Sequence, residues 1–370
     1  MTNLNDLYGD YGQSPWLDNI RRDWLNDGTL AKFVAEGVRG VTSNPSIFAK
    51  ALATSSAYDA FVAASTDTNP EDLFESLAVA DVRDACDVLA PVHASSRSEF
   101  AKGARRYLDG FVSLEVSPRL ASNTQATIDA AHRLAKRVDR PNAMIKIPAT
   151  KEGLPAIRAV LGAGINVNVT LIFSLERYGE VITAWAQGLN DAYDAGHDLG
   201  ALASVASFFV SRVDVAVDAL LTEGDARRGT TANAQAAAAY EIYRSRMKAE
   251  EVTSLLSRGA QVQRPLWAST STKNPTYDDL LYVNNLVADE TVNTMPDATL
   301  AAVLDHADFA KSKLLNEETC HTLAQVLDGL APDVSLDHVT DQLEEEGVAA
   351  FAKSYEELLA TVTSKMHETK

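Results

Sequence analysis

The sequence contains few cysteines and few histidines, and these shortages exclude several kinds of site. Its two cysteines, Cys86 and Cys320, lie far apart, so neither a disulfide framework nor a thiolate metal site is indicated. The seven histidines lack the HxH and HExxH spacings of metal sites, and no glycine-rich nucleotide-binding pattern is present. We therefore expect a protein that uses neither a metal nor a cofactor.

Positive charge and long apolar runs are also scarce. The 33 Lys and Arg against 51 Asp and Glu give a formal net charge of −18, which argues against nucleic acid or an anionic membrane as a partner. No apolar run approaches the ~20 residues that span a bilayer, and the first residues lack the basic and apolar regions of a signal peptide. We expect a soluble, cytoplasmic protein in which any anionic substrate meets a local cationic pocket.

Short apolar or alternating segments recur along the chain, and helical periodicity follows them. Strands that alternate with helices predict parallel pairing, and eight such units indicate an α/β fold of the (β/α)8 TIM barrel type. The predicted strands are residues 15 to 18, 37 to 44, 111 to 117, 143 to 148, 165 to 173, 203 to 209, 264 to 270 and 290 to 295.

Two stretches exceed what a minimal barrel requires. Residues 221 to 262 are predicted to form a helical insertion, and residues 297 to 370 a helical C-terminal extension. No linker rich in Pro, Gly or Ser separates either stretch from the rest. We therefore predict a single elaborated domain over residues 1 to 370, although the chain is long enough for two.

Polar residues share one face of three neighbouring predicted strands. Glu115, Lys146, Asn168 and Thr170 alternate with aliphatic residues, so the polar face is expected to look into the barrel near the carboxyl ends of the strands. An ordinary half-exposed strand with a structural Glu–Lys pair would give the same pattern. Burial disfavours the charged form of a lysine, and a neutral lysine is a nucleophile that forms Schiff bases with ketones.

Other candidate positions are ambiguous when taken alone. Asp18 follows a predicted strand and is either an acid at the barrel mouth or a helix cap. Residues 42 to 46 have the pattern of a turn. The hydroxyl-rich residues 268 to 275 form either a phosphate site or a capped loop, and Arg212 either binds phosphate or pairs with an acidic neighbour.

Six motifs taken together resemble the transaldolase family, and in particular its larger bacterial subgroup. They are "GVTSNPSIF", "SLEVSP", "IKIPAT", "NVNVTLIFS", "ASFFVSR" and "WASTSTKNP", which follow the family's order within residues 14 to 295. The resemblance implies a barrel of the class I aldolase type that acts in the pentose phosphate pathway without metal or cofactor. Such an enzyme moves a dihydroxyacetone unit between sugar phosphates, and we expect a monomer or a homodimer.

The resemblance also implies roles for individual residues. Lys146 matches the Schiff-base lysine, and Asp18 matches the general base at the C4 hydroxyl. Glu115 and Thr170 match the pair that moves protons through a bound water. Substrate-binding roles are implied for Thr42, Asn44, Asn168, Ser207, Arg212 and Ser269. Where many relatives have a second arginine, this chain has Ser271 and Lys273, so Lys273 is the candidate for the second phosphate cation.

Two alternative functions remain open from the sequence. A hydrolytic class I aldolase, such as a fructose 6-phosphate aldolase, shares the lysine but releases free dihydroxyacetone; the retained Glu115 favours the transaldolase. A non-catalytic barrel that serves as an interaction scaffold is less favoured.

Overall fold

The computed structural model describes residues 3–312, 314–331 and 333–369, and it has a mixed α/β architecture. Seven strands form one sheet in the order β1-β7-β6-β5-β4-β3-β2, and every neighbouring pair is parallel. The strands are β1 (Gln13–Leu17), β2 (Val112–Glu115), β3 (Ala143–Pro148), β4 (Val167–Ile172), β5 (Ser204–Phe209), β6 (Arg264–Ala268) and β7 (Thr291–Met295).

Helices connect the strands and cover the outside of the sheet, as parallel pairing requires. Within the described residues the α-helices are α1 (Asn3–Gly9), α2 (Arg22–Asn26), α3 (Thr29–Glu36), α4 (Pro45–Thr54), α5 (Asp59–Ala64), α6 (Pro70–Ala101), α7 (Thr124–Val138), α8 (Gly153–Gly162), α9 (Leu175–Asp194), α10 (Ser211–Leu220), α11 (Thr231–Arg246), α12 (Glu250–Ser257), α13 (Leu281–Asn285), α14 (Asp297–His306), α15 (Glu317–Leu330) and α16 (Leu336–Thr369).

The eight-stranded barrel predicted from the sequence is confirmed only as a parallel sheet of seven strands. The predicted strand at residues 37 to 44 is not formed as a strand; Val41 makes isolated parallel bridges to Leu17 and to Val112. Two glycines account for the shortness of this pairing. Gly37 has a φ of 123°, and a Cβ on Gly40 would lie 2.3 Å from the ring of Trp16.

Residues 39–42 nevertheless lie between the two edge strands of the sheet. The backbone N–H of Thr42 donates to Leu17 at 2.9 Å, and the N–H of Ser113 donates to Val41 at 2.9 Å. Arg39 anchors the segment through an ion pair of 2.9 Å with the fully buried Asp109. Burial raises the pKa of Asp109, but the charges of Arg264 and Arg39 outweigh it and hold this pKa below its usual value.

Both faces of the sheet are buried. On β3 the aliphatic Ile145 and Ile147 belong to the hydrophobic core, while Lys146 between them points to the opposite face. Register places Lys146 beside Glu115 of β2 and beside Asn168 of β4. Three polar side chains on adjacent strands therefore lie at the same level inside the curled sheet, as the alternation predicted.

The two additional regions contain helices. Residues 221 to 262 include α11 and α12, and residues 297 to 370 include α14, α15 and α16 within the described part. Among the described residues, no helix is both long enough and apolar enough to cross a bilayer.

Candidate active site

Lys146 lies at the centre of the polar face, near the carboxyl end of β3. Its Nζ donates to the carbonyl oxygen of Ser43 at 3.1 Å and to Oε2 of Glu115 at 3.3 Å. Both side chains of the ion pair are 6 % exposed. The ring centroid of Phe351 lies 5.5 Å from Nζ on a further side. The amine is thus shielded from bulk water and held at the end of the sheet where parallel strands place their sites.

Glu115 is the carboxyl group next to this amine. Burial raises the pKa of Glu115 to about 7, even though the charge and hydrogen bond of Lys146 lower it; the nearby charge of Asp18 raises it further. A carboxyl group with this pKa exchanges its proton readily near neutral pH, which suits a group that acts both as an acid and as a base.

Asp18 directly follows β1 and lies on the same side of the sheet. The hydroxyl of Thr42 donates to Oδ1 of Asp18 at 2.7 Å, and Thr42 also contacts the hydroxyl of Thr294 at 2.7 Å. Burial raises the pKa of Asp18, whereas the charge of Lys146 and the bond from Thr42 lower it. The residues around position 42 therefore hold the carboxylate of Asp18 in place instead of forming only a turn.

Three polar residues on β4 and β5 complete the inner face. Thr170 is fully buried, and its hydroxyl has no hydrogen-bond partner among the described residues. The next residue, Leu171, has a φ of 59° at the point where the register between β4 and β5 shifts. Such bulges turn side chains toward active sites. Asn168 is also fully buried; it donates to Ser113 at 3.0 Å and accepts from the Ser207 hydroxyl at 2.7 Å.

Two cationic residues, Arg212 and Lys273, lie beyond these residues near the start of α10, and they form the cationic end of the site. Burial lowers the pKa of Arg212, and its guanidinium makes no hydrogen bond within residues 3–312, 314–331 and 333–369. Lys273 donates to Ser271 at 2.6 Å, and burial together with the charge of Arg212 lowers the pKa of Lys273. Ser269 has a φ of 57°, and its hydroxyl lies 2.9 Å from that of Ser211. Two neighbouring cations and several hydroxyls are well suited to an anionic group.

A cavity of about 140 Å³ joins the amine to this cationic end. Nine of the eleven predicted site residues line it: Asp18, Thr42, Asn44, Lys146, Thr170, Ser207, Arg212, Ser269 and Lys273. Glu115 and Asn168 do not line the cavity. Glu115 contacts Lys146, and Asn168 accepts a hydrogen bond from Ser207. Each of the two is therefore linked to the cavity through another side chain. Asn44 also caps α4, accepting from the N–H of Ile47 at 3.1 Å.

Outside the loop at residues 268 to 275, sequence reasoning missed four further residues that line the cavity: Phe209, Thr294, Pro296 and Phe351. Thr294 lies near the carboxyl end of β7, but alternation places it on the same face as Val292 and opposite the polar Asn293, so the test applied to the other strands would not have found it. Phe209 ends β5 beside Ser207. Phe351 belongs to α16, and no local pattern indicates which face of this long helix covers the sheet.

Comparison with known proteins agrees with this geometry. A family described as transaldolase/fructose-6-phosphate aldolase matches residues 15–362. A transaldolase of Saccharopolyspora erythraea is 46% identical and covers 100% of both chains. A transaldolase of Thermobifida fusca is 47% identical over 96% of each chain. A protein of Streptomyces coelicolor named transaldolase 1 is 47% identical over 96% of this chain and 93% of its own.

Proposed function

Because the chain belongs to the transaldolase/fructose-6-phosphate aldolase family, we propose that it is a transaldolase whose reaction proceeds through a Schiff base on Lys146. The reaction converts sedoheptulose 7-phosphate and glyceraldehyde 3-phosphate into erythrose 4-phosphate and fructose 6-phosphate. The observation that carries the proposal is a buried lysine amine 3.3 Å from a carboxyl group with a pKa of about 7. The full-length similarity to proteins named transaldolase supports the same activity.

In the first step the Lys146 amine attacks the C2 carbonyl of the ketose and forms a carbinolamine. Glu115, beside the amine, accepts a proton during the attack and then returns one to the departing hydroxyl, so that a water molecule leaves and an iminium remains. The hydroxyl of Thr170 has no hydrogen-bond partner in the described part of the chain, and it is proposed to hold this water. The iminium is the electron sink for the next step.

In the second step Asp18 removes the proton of the C4 hydroxyl. The C3–C4 bond breaks, the C4 aldehyde leaves as an aldose phosphate, and the bonding electron pair moves toward nitrogen to give an enamine on Lys146. The hydrogen bond from Thr42 at 2.7 Å fixes the carboxylate of Asp18 for this role. The acceptor aldehyde then follows the same path in reverse: the enamine carbon attacks it, and Asp18 returns its proton to the new alkoxide.

The cationic end of the cavity is proposed to bind the phosphate. Arg212 offers a guanidinium that makes no hydrogen bond within the described chain, and Ser269 offers a hydroxyl. Lys273 takes the place of a second arginine as a point charge without arginine's planar fork. Asn44 and Ser207 line the cavity between the amine and this end, where the hydroxyls of the three-carbon unit would lie.

We also propose that residues 39–42 take the eighth strand position of a (β/α)8 barrel, which their bonds to β1 and β2 support. On this view the chain is one domain over residues 1 to 370, with 221 to 262 as an insertion and 297 to 370 as an extension. A cytoplasmic location and a monomeric or homodimeric state remain predictions.

Reductive trapping tests the Schiff base directly. Borohydride with fructose 6-phosphate should attach a three-carbon or six-carbon unit to the peptide that contains Lys146, as detected by mass spectrometry. Lys146→Arg should abolish both the label and the activity, because a guanidinium does not form an iminium with the ketose. Lys151→Arg, the same change at an exposed lysine nearby, should leave both intact. Label on another lysine, or activity in Lys146→Arg, would refute the proposal.

The same protein separates the transferase from a hydrolytic aldolase. With fructose 6-phosphate alone, a transaldolase releases little free dihydroxyacetone, and it turns over steadily once erythrose 4-phosphate is added. Steady release without an acceptor would assign the hydrolytic activity and would retain Lys146 as the nucleophile.

A further inference from the structure

Helix α16 lies over the carboxyl ends of the strands, and contacts around the sheet fix its position. It packs against α4, α5, α6 and α10. Arg177 of α9 forms an ion pair of 3.3 Å with Glu344. The hydroxyl of Ser46 on α4 donates to Ser354 at 2.8 Å. The helix is therefore held at points on different sides of the site.

Close packing brings the middle of α16 down onto β4. Gly347 has no side chain, and a Cβ there would lie 3.2 Å from Leu171 and 3.3 Å from Phe173. These distances are tighter than ordinary carbon contacts, so a larger residue would require the side chains of Leu171 and Phe173 to shift by a few tenths of an ångström. Phe351 lies one turn further along the same helix face. The small residue thus lets the aromatic ring reach the cavity.

The ring of Phe351 is placed against the reacting group itself. It lines the cavity together with Lys146, its centroid lies 5.5 Å from Nζ, and only 7 % of the residue is exposed. The face of an aromatic ring attracts a cation at this distance. An apolar ring above the amine also excludes water from the neighbouring space, where the carbon of an enamine on Lys146 would lie.

We propose that Phe351 is a specificity-determining residue, which directs the enamine intermediate to transfer instead of hydrolysis. This inference rests on the Schiff base proposed for Lys146. Hydrolysis requires a proton at the enamine carbon and then a water that adds to the iminium carbon, after which the C–N bond breaks and dihydroxyacetone and the free amine are released. Transfer replaces that protonation with attack of the enamine carbon on the acceptor aldehyde, and water then releases the product ketose from its iminium in the same way. The two routes therefore differ at the enamine carbon, and a ring that keeps water away from this carbon as a proton donor slows only the first route.

The test measures how the intermediate divides between the two routes. Purified enzyme is given fructose 6-phosphate and erythrose 4-phosphate, and free dihydroxyacetone is measured against sedoheptulose 7-phosphate. Phe351→Ala should raise this ratio by about tenfold or more, because water gains access to the enamine carbon and protonates it before an acceptor is attacked. Phe351→Leu keeps an apolar cover and should raise it by less than about threefold.

A matched control removes packing on the same helix without opening the site. Leu358 is fully buried on α16 and does not line the cavity. Leu358→Ala should lower the melting temperature but leave the ratio of hydrolysis to transfer unchanged. If Phe351→Ala does not fold, Phe351→Val replaces it, with an expected rise of about threefold or more.

The outcomes separate this inference from the proposed function. A ratio within about twofold of the native value in Phe351→Ala or its Val replacement would make Phe351 a packing residue only. An equal rise in Leu358→Ala would assign the effect to loosening of the helix, and would also overturn the inference. Failure to trap native enzyme at Lys146 would instead reject the Schiff base, whatever the ratio.

Discussion

Replacing Glu115 with glutamine tests whether its proton is used in catalysis. The substitution keeps the shape of the side chain and leaves an amide oxygen that accepts from Lys146, but it removes the ionisable proton. At pH 7 a carboxyl group with the ordinary pKa of 4.5 is about 0.3 % protonated, whereas one with a pKa of about 7 is about half protonated. Burial therefore makes more than about a hundred times as much acid available beside the amine.

The expected effect follows from the step that uses this proton. Loss of one general acid or base typically slows its step by about 10²–10⁴-fold, so Schiff-base formation in Glu115→Gln should slow by at least about a hundredfold. In the native enzyme the dehydration step should also slow as the pH rises through about 7, because Glu115 loses its proton there. The variant should lack this dependence.

The assay is timed trapping with borohydride. Enzyme and fructose 6-phosphate are mixed, the reaction is quenched with borohydride at intervals between pH 5 and pH 9, and the labelled fraction of the Lys146 peptide is measured. A trapping rate within about fivefold of native, or an unchanged inflection near pH 7, would refute the role of Glu115 as proton donor.

Stability gives an independent check on the pKa. Because the folded-state pKa of Glu115 lies above its ordinary value, its contribution to stability is fully present below pH 4.5 and is lost as the pH rises through about 7. The difference between the two values corresponds to about 3 kcal/mol at most. The melting temperature of Glu115→Gln relative to native should therefore increase over this pH range; a constant difference would mean that the pKa of Glu115 is not raised.

Three other changes should have separate effects. Asp18→Asn should still be trapped with fructose 6-phosphate but should cleave the C3–C4 bond about 10²–10⁴-fold more slowly; cleavage near the native rate would reduce Asp18 to a structural role. Lys273→Ala should raise KM for erythrose 4-phosphate by about tenfold or more, because a charged contact to the phosphate is lost. The rate with unphosphorylated glyceraldehyde as the acceptor should stay the same. If activity falls equally with both acceptors, Lys273 has no role in binding phosphate. Excess chelator should leave activity unchanged, because the iminium on Lys146 provides the electron sink, and activity that a divalent ion restores would contradict this.

The sequence predicts the strands well because their signal is local. The strand at residues 143 to 148 matches β3 in full, and the alternation around Lys146 correctly predicts which neighbours share its face. The strand predicted at residues 37 to 44 is not formed for a tertiary reason: Gly40 lies against Trp16, and β-bridges are limited to Val41 although residues 39–42 share backbone hydrogen bonds with their neighbours. The composition of a short segment with two glycines does not reveal this.

The site could be predicted only where a residue lies on a strand or in a motif. Asp18 and Lys146 were identified in this way, and both line the cavity. Phe351 was missed because its place depends on how α16 docks more than 200 residues after Lys146 in the chain. The position of Asn168 behind Ser207 could likewise not be predicted. Alternation indicates which face of a strand carries a residue, but it does not indicate how far that residue lies from the cavity.

Residues 39–42 also bear on the order of events as the chain folds. β1 and β2 are far apart in sequence and meet only through this short segment, whose bonds form at a high cost in loop entropy. The pairing of β2 with β3 already places Glu115 beside Lys146, whereas Asp18 follows β1 at the other edge of the sheet and is met there by the hydroxyl of Thr42. The placement of Asp18 relative to Glu115 therefore depends on contacts between segments distant in sequence, which local structure in the chain does not supply.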